Sequence, residues 1–373
     1  MSLDTACTPT DTHSFGLSGD PAAAAMERPA RRVVTDYSTV LGQVQAVGLM
    51  RRRYGFYVTK ISLLLLAFAG VWVGFAFLGT HWAQVTIAVA LAIVVTQILF
   101  MSHDAAHRQI FRSGKANEWA ALLLGTGLGG VSLGWWHSKH TRHHQAPNQI
   151  GKDPDINSSV LRFYATDDAP RHRATAFLYA RQGWWFYPLL VAEALNLHAQ
   201  SIMTVATRRD VKHRWVEAAL LTVRLGVYPA VLFIVLPWGL AAAFLGVQLA
   251  ATGLYLGSAF AVSHVGMPTV AKDSKIDFFR RQVLTSRNVS GGRAASLAMG
   301  GLNYQIEHHL FPGMPRPNLR RARPIVRAFC AEHGIDYHEV PIHHAWAIVA
   351  AHLNRVGLSA ALTASCPTAA ALR

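Results

Sequence analysis

Charged residues are scarce. They make up 15% of the 373 residues, where soluble domains carry about a quarter, while 51% are hydrophobic and the mean hydropathy is +0.23. A chain so short of charge is not an ordinary water-soluble enzyme, and one so apolar is not intrinsically disordered. Acidic side chains are scarcer still: 20 Asp and Glu stand against 35 Lys and Arg, a net charge of +15. Either nucleic acid or an anionic membrane surface would answer that surplus. No nucleic-acid motif accompanies it, so no nucleic acid is expected and the surplus is read as a face lying against membrane lipid. Cysteine is nearly absent. Cys7, Cys330 and Cys366 are far apart and odd in number, which excludes a disulfide framework and a thiolate zinc site.

Long apolar runs are present. Ile61 to Gly79 is nineteen residues without a charge and Val85 to Met101 is seventeen, joined by Thr80 to Gln84. Each is long enough to cross a hydrocarbon core of about 30 Å, the second only just. Leu225 to Ser263 is thirty-nine uncharged residues, twice a single span, with Pro237-Trp238-Gly239 as the turn of a second hairpin. The third helix then begins near Val216 and carries Arg224, which either snorkels or faces the bundle interior.

The expected fold is an all-α membrane protein of four transmembrane helices in two hairpins, over about 61–79, 85–101, 216–236 and 240–263, with a helical cytoplasmic cap. Lys and Arg set the orientation. The short turns hold none, whereas residues 1–60, 103–214 and 264–373 hold seven, fourteen and thirteen. Both termini and the cap are therefore expected on the cytoplasmic side. Trp119 to Trp136 is apolar but holds five glycines, and reads as an interfacial or re-entrant element. Residues 1–55 are polar, with no signal-peptide core after Met1, and read as a loosely ordered lead. A membrane domain is expected over 56–345 and a C-terminal tail over 346–373, of which Val356 to Arg373, rich in Ala, Ser and Thr, reads as dispensable.

Nineteen histidines are the anomaly, and they cluster. His103 and His107 are four apart on one helix face, directly after the second span. His137, His140, His143 and His144 fall at i, i+3, i+6 and i+7, and Gln305, His308 and His309 repeat the i+3, i+4 spacing. One buried histidine is commonly a satisfied core residue, but three clusters on one side of a membrane are not a coincidence. So many imidazoles exceed the three or four ligands of one zinc, so at least two metal ions are implied. Imidazole suits iron, zinc, copper and nickel, and spacing alone does not choose among them.

His103-x-x-x-His107, His140-x-x-His143-His144 and Gln305-x-x-His308-His309 resemble the three histidine boxes of the integral-membrane fatty acid desaturases. The run from Gly301 to Arg316 is especially similar to the subgroup with Gln in the third box, and the likeness covers roughly 55–345. That resemblance implies two iron ions, O2 as co-substrate and a long-chain acyl substrate, either acyl-CoA or lipid-linked. It implies that His103, His107, His140, His143, His144, His308 and His309 are iron ligands, together with His264 just after the last span. Gln305 replaces a histidine of other branches, and ligates weakly, through water, or not at all. His137 precedes the usual second box and is placed beside the ligands, its i+3 spacing keeping ligation open. Asp104 and Glu307 are candidates to orient ligand rings, or else exposed carboxylates beside cations. The His-Pro-Gly-Gly haem motif of fused cytochrome b5 domains does not occur, and the first sixty residues offer only His13. Electrons are therefore expected from a separate electron-transfer protein such as a ferredoxin with its reductase. The same boxes serve lipid hydroxylases, and a membrane metal transporter is a reading of another class, although transport would place ligands at mid-membrane depth. The Trp135-Trp136 and Trp184-Trp185 pairs read as interfacial anchors rather than tunnel walls.

Overall fold

A computed structural model describes residues 33–165 and 172–365. Cys7, His13, Cys366, the first part of the polar lead and the end of the tail lie outside the described residues. The chain is mostly helical, with one pair of three-residue strands, β1 (Asn288–Ser290) and β2 (Glu339–Pro341), running parallel in the register Asn288 to Glu339.

Five helices among the described residues are long and apolar enough to cross a membrane. They are Tyr54–Leu78 (α2), Gln84–Ala106 (α3), Gln182–Thr207 (α7), Arg214–Val235 (α8) and Trp238–His264 (α9). Four coincide with the expected runs, and Leu236-Pro237 makes the expected break between α8 and α9. The additional one, α7, hides its length in sequence: Pro188 and a 3-10 turn at Leu190–Ala192 interrupt it, and Glu193 breaks the uncharged run. Arg224 faces the interior, donating to the Leu128 carbonyl at 2.8 Å and lying 4.3 Å from the Tyr228 ring.

The glycine-rich stretch is not among these five helices. It forms a short helix, α4 (Gly114–Ala121), that continues as a π-helical segment (Leu122–Leu128) packed on α3. A side chain at Gly129 would fall 2.3 Å from the Leu99 side chain, and at Gly125 2.3 Å from Ser102, so these glycines permit the close approach. α5 (Leu133–Gln145) follows and carries the second histidine box; α6 (Arg173–Ala180) leads into α7, and α11 (Gly292–Ala298) follows β1.

At the histidine-bearing ends of the apolar helices lies a second core. Its elements are α1 (Val33–Ala46), α10 (Phe278–Leu284), α12 (Gln305–Leu310) and α13 (Arg316–Glu332), sharing Val40, Val44, Phe279, Ile306, Leu310 and Val326. Within the lead, α1 is thus a packed helix: Val40, Leu41 and Val44 form one apolar stripe, and Asp36 accepts from Arg280 at 2.9 Å. The expected tail boundary at 346 falls within a helix, α14 (Ile342–Ser365), whose Val349 and Leu353 pack on Phe186 and Leu190.

Candidate metal centre

Each histidine is delivered by the end of a helix. His103 and His107 close the last turn of α3, and Arg108, at φ 57°, turns the chain sharply away. His140, His143 and His144 lie in the last two turns of α5, His264 is the final residue of α9, and His308 and His309 sit on the short, wholly buried α12. Two groups result. In His103, His107, His140 and His308, one ligating atom from each lies within 4.8 Å of every other; the same holds for His143, His264 and His309.

Within the groups, ring nitrogens face one another. His107 Nε2 is 2.9 Å from His140 Nε2, and His264 Nε2 is 3.1 Å from His309 Nε2 and 3.3 Å from His143 Nε2. Two imidazole nitrogens bound at right angles to one ion at about 2.1 Å are about 3 Å apart, so the spacing suits a shared cation. Both ring nitrogens of His103 and of His144, and Nε2 of His308, are buried without a hydrogen-bond partner among the described residues. Orphaned buried donors and acceptors are costly, and a metal ion answers them. His144 lies between the groups, its ring 4.2 Å from that of His309, 4.5 Å from His140 and 4.8 Å from His308. Burial, and then the crowding of neighbouring imidazoles, hold His107, His140, His144, His308 and His309 well below the ordinary histidine range. The rings are therefore neutral, the form that ligates.

The far nitrogens of the second group are held by partners that the boxes do not reveal. His143 Nδ1 is 3.1 Å from both oxygens of Asp153, His264 Nδ1 donates to the Thr285 carbonyl at 2.9 Å, and His309 Nδ1 to Gln282 Oε1 at 2.9 Å. Such contacts fix the tautomer and leave Nε2 free for an ion. For His143, burial pushes the ring down, but Asp155 and Asp153 outweigh it and leave the ring above its usual value.

Asp104 and Glu307 both have partners outside the two histidine groups. Asp104 Oδ1 is 3.6 Å from His103 Nδ1, beyond hydrogen bonding, and Oδ2 pairs with Arg316 at 2.8 Å. Glu307 points away from the rings beside it and accepts from Tyr337 and Asn288 at 2.7 and 2.8 Å; burial pushes its carboxyl up to about 7. Gln305 Nε2 lies 2.9 Å from His264 Nε2. His137 is exposed, packs on Trp136 and joins neither group. Trp136 is no simple anchor: it stacks on His140 at 4.3 Å and lies 5.5 Å from His103 and His107. Trp184 and Trp185, by contrast, are exposed.

Residues 80–341 match the family model for fatty acid desaturases. The chain belongs to that family. It is 28% identical to the acyl-lipid (9-3)-desaturase of Borago officinalis over 318 residues, 82% of this chain and 71% of that protein. It is also 28% identical to the Delta(8)-fatty-acid desaturase 2 of Arabidopsis thaliana (82% and 71%) and to the Delta(5) fatty acid desaturase fat-4 of Caenorhabditis elegans (83% and 71%). The enzyme is thus an oxidoreductase of a membrane family, with histidine clusters able to hold metal. The transporter reading falls with that match.

One further contact aims the second box. Glu217, buried in the first turn of α8, accepts from Ser132 Oγ at 2.5 Å and from Gly134 N at 3.1 Å, at the N-terminus of α5. A carboxylate there satisfies open amides and faces the positive end of the helix dipole. Glu217→Ala is expected to cost about 0.5–2 kcal/mol, the usual range for a lost helix cap. Thermal unfolding in detergent should show a midpoint several degrees lower; an unchanged midpoint would contradict the capping role.

Proposed function

We propose that the enzyme is an O2-dependent fatty acyl desaturase whose two iron ions are held by His103, His107, His140, His143, His144, His264, His308 and His309. The observation that carries this reading is the convergence of buried and half-buried imidazoles, several with no other partner among the described residues, into two groups at the ends of helices. An iron pair there would supply the oxidant that takes two hydrogens from an acyl CH2–CH2, with O2 leaving as two waters once two electrons and two protons have been added. The protein's part is placement. Asp153, Thr285 and Gln282 hold ligand rings in one tautomer, and the buried Ile306, Leu310 and Phe311 keep water from the third box. Trp136 and Phe260, 5.5 and 6.5 Å from the His103 ring, offer the apolar surface against which an alkyl chain would be held.

The topology we favour has four spans, α2, α3, α8 and α9, in two hairpins under a cytoplasmic cap, with α7 along the membrane. α3 and α9 both end at the histidines, so α8, which turns into α9, begins on that side. α7 has its start tied to the same side: Tyr187 donates to the Trp346 carbonyl near the beginning of α14, which follows β2, and β1 adjoins Glu307 through Asn288. α7 also lies across α9 through Leu190, at Gly253 and Gly257. The Lys and Arg count supports a cytoplasmic cap, and a separate electron-transfer protein would dock there. The membrane domain over 56–345 would then take in α1 as well.

Fatty-acid profiles of cells expressing the chain with a compatible donor, by gas chromatography and mass spectrometry after double-bond derivatisation, test the reading. A new unsaturated product is expected, with two iron ions in the purified protein. A hydroxylated product would move the enzyme to the sister chemistry, and iron-free protein with no new lipid would end the proposal.

A further inference from the structure

Beside the metal centre is a basic recess that the boxes leave unexplained. A cavity of about 430 Å³ is lined by Met50, Arg51, Arg52, Tyr54 and Arg112. Its position follows from the fold: Arg51 and Arg52 precede the first residue of α2, and Arg112 follows the last residue of α3, so the cavity opens at the membrane surface on the histidine side. None of the three arginines is paired with a carboxylate among the described residues. Like-charged guanidinium groups gathered without a counter-charge repel one another, and an anion relieves that repulsion.

The recess is held in shape. Asn318 of α13 donates to the carbonyl of Leu49 at 2.7 Å and to that of Arg51 at 3.4 Å, so the loop before α2 is fastened to the second core. Arg52 Nη1 donates to the Gly313 carbonyl at 3.3 Å, which fastens it to the loop between α12 and α13. Arg112 lies five residues beyond His107, so a short run of chain joins the recess to the first histidine group. A volume of this size holds more than a bare ion, and guanidinium forks match phosphate oxygens in pairs.

We infer that this recess binds the phosphate-bearing end of the acyl carrier, seating the substrate's polar group at the membrane surface while its chain reaches the histidines. The inference rests on the desaturase reading and adds the chemistry of the headgroup. Phosphate of that kind has two sources, a coenzyme A thioester or a phospholipid, and the test separates them.

The iron-loaded enzyme and its Arg51→Gln/Arg52→Gln/Arg112→Gln variant are reconstituted in nanodiscs of an uncharged galactolipid. One arm titrates palmitoyl-CoA, with free coenzyme A as competitor; the other dopes the discs with phosphatidylglycerol. Affinity, KM, kcat and iron content are read in both. In one arm the triple variant is expected to weaken affinity and raise KM at least tenfold, with iron and kcat unchanged. Loss in the first arm, with competition by coenzyme A, assigns a thioester; loss in the second assigns a lipid headgroup. Equal affinity of wild type and variant in both arms overturns the site, as does failure of the wild type to bind either phosphate source. Should the triple variant misfold, Arg51→Gln and Arg112→Gln, which remove no hydrogen bond of the fold, carry the same expectation at a few-fold each. The two readings fail separately: wild type that loads iron and forms product without arginine dependence sinks only the site, and arginine-dependent binding by protein unable to hold iron sinks only the desaturase reading.

Discussion

Replacing His308 with alanine is expected to abolish product formation and to empty the group of His103, His107, His140 and His308, while the protein still inserts and folds. His308 is 1% exposed, and its Nε2 has no partner among the described residues. It also packs within 4.8 Å of the rings of His103, His107 and His144. A residue whose only unmet valence points into a nest of imidazoles has little structural duty for that atom. Groups that merely steady a ligand cost about 10- to 100-fold when lost, so removal of a ligand itself should exceed 100-fold in activity. Iron per chain and the fatty-acid profile, measured on the same preparation, give the answer. Full activity in His308→Ala would remove the first group from the mechanism. Partial iron loss with no product is the expected result, because the second group keeps its own rings.

The histidines were legible because each box is short and lies on one helix, so that spacing alone places its rings together. Their partners were not. Asp153 is ten residues from His143 in a loop, and Gln282 reaches His309 only because α10 packs on α12. Asp104 and Glu307 drew attention by adjacency to histidines, yet on a helix neighbours in sequence point to different faces. Asp104 therefore meets Arg316 and Glu307 meets Tyr337. The α1 stripe of Tyr37, Val40, Leu41 and Val44 is short and lies in an otherwise polar lead, so its partner core on α10, α12 and α13 is what shows it to be buried. α7 was obscured by Pro188 and Glu193, which end an apolar run without ending the helix. Apolar runs and box spacing are local properties; ring orientation and the number of buried helices depend on packing between distant segments.

Asp153 offers the sharper test of how the two groups divide the work. Each of its oxygens already accepts a backbone amide, from Asn148 at 2.7 Å and Asp155 at 2.9 Å, while both lie 3.1 Å from His143 Nδ1. Asp153→Ala should loosen the His143 ring, leaving it Asp155 alone at 3.3 Å, and leave two amides unanswered, lowering metal affinity or activity about 10- to 100-fold. Asp153→Asn should rescue only in part, because whichever oxygen becomes NH2 then confronts an amide donor. Gln282→Ala frees His309 on the same trio, so its loss should not add to that of Asp153→Ala, as expected of residues acting through one ion. Mössbauer spectra of iron-57-loaded protein would follow each ion separately. One of two iron signals should fade in Asp153→Ala and in Gln282→Ala, the signal that survives being the one lost in His308→Ala. Equal fading of both signals would mean that His144, lying against His309 on one side and His140 and His308 on the other, binds the two groups into a single site that loads or empties as a unit.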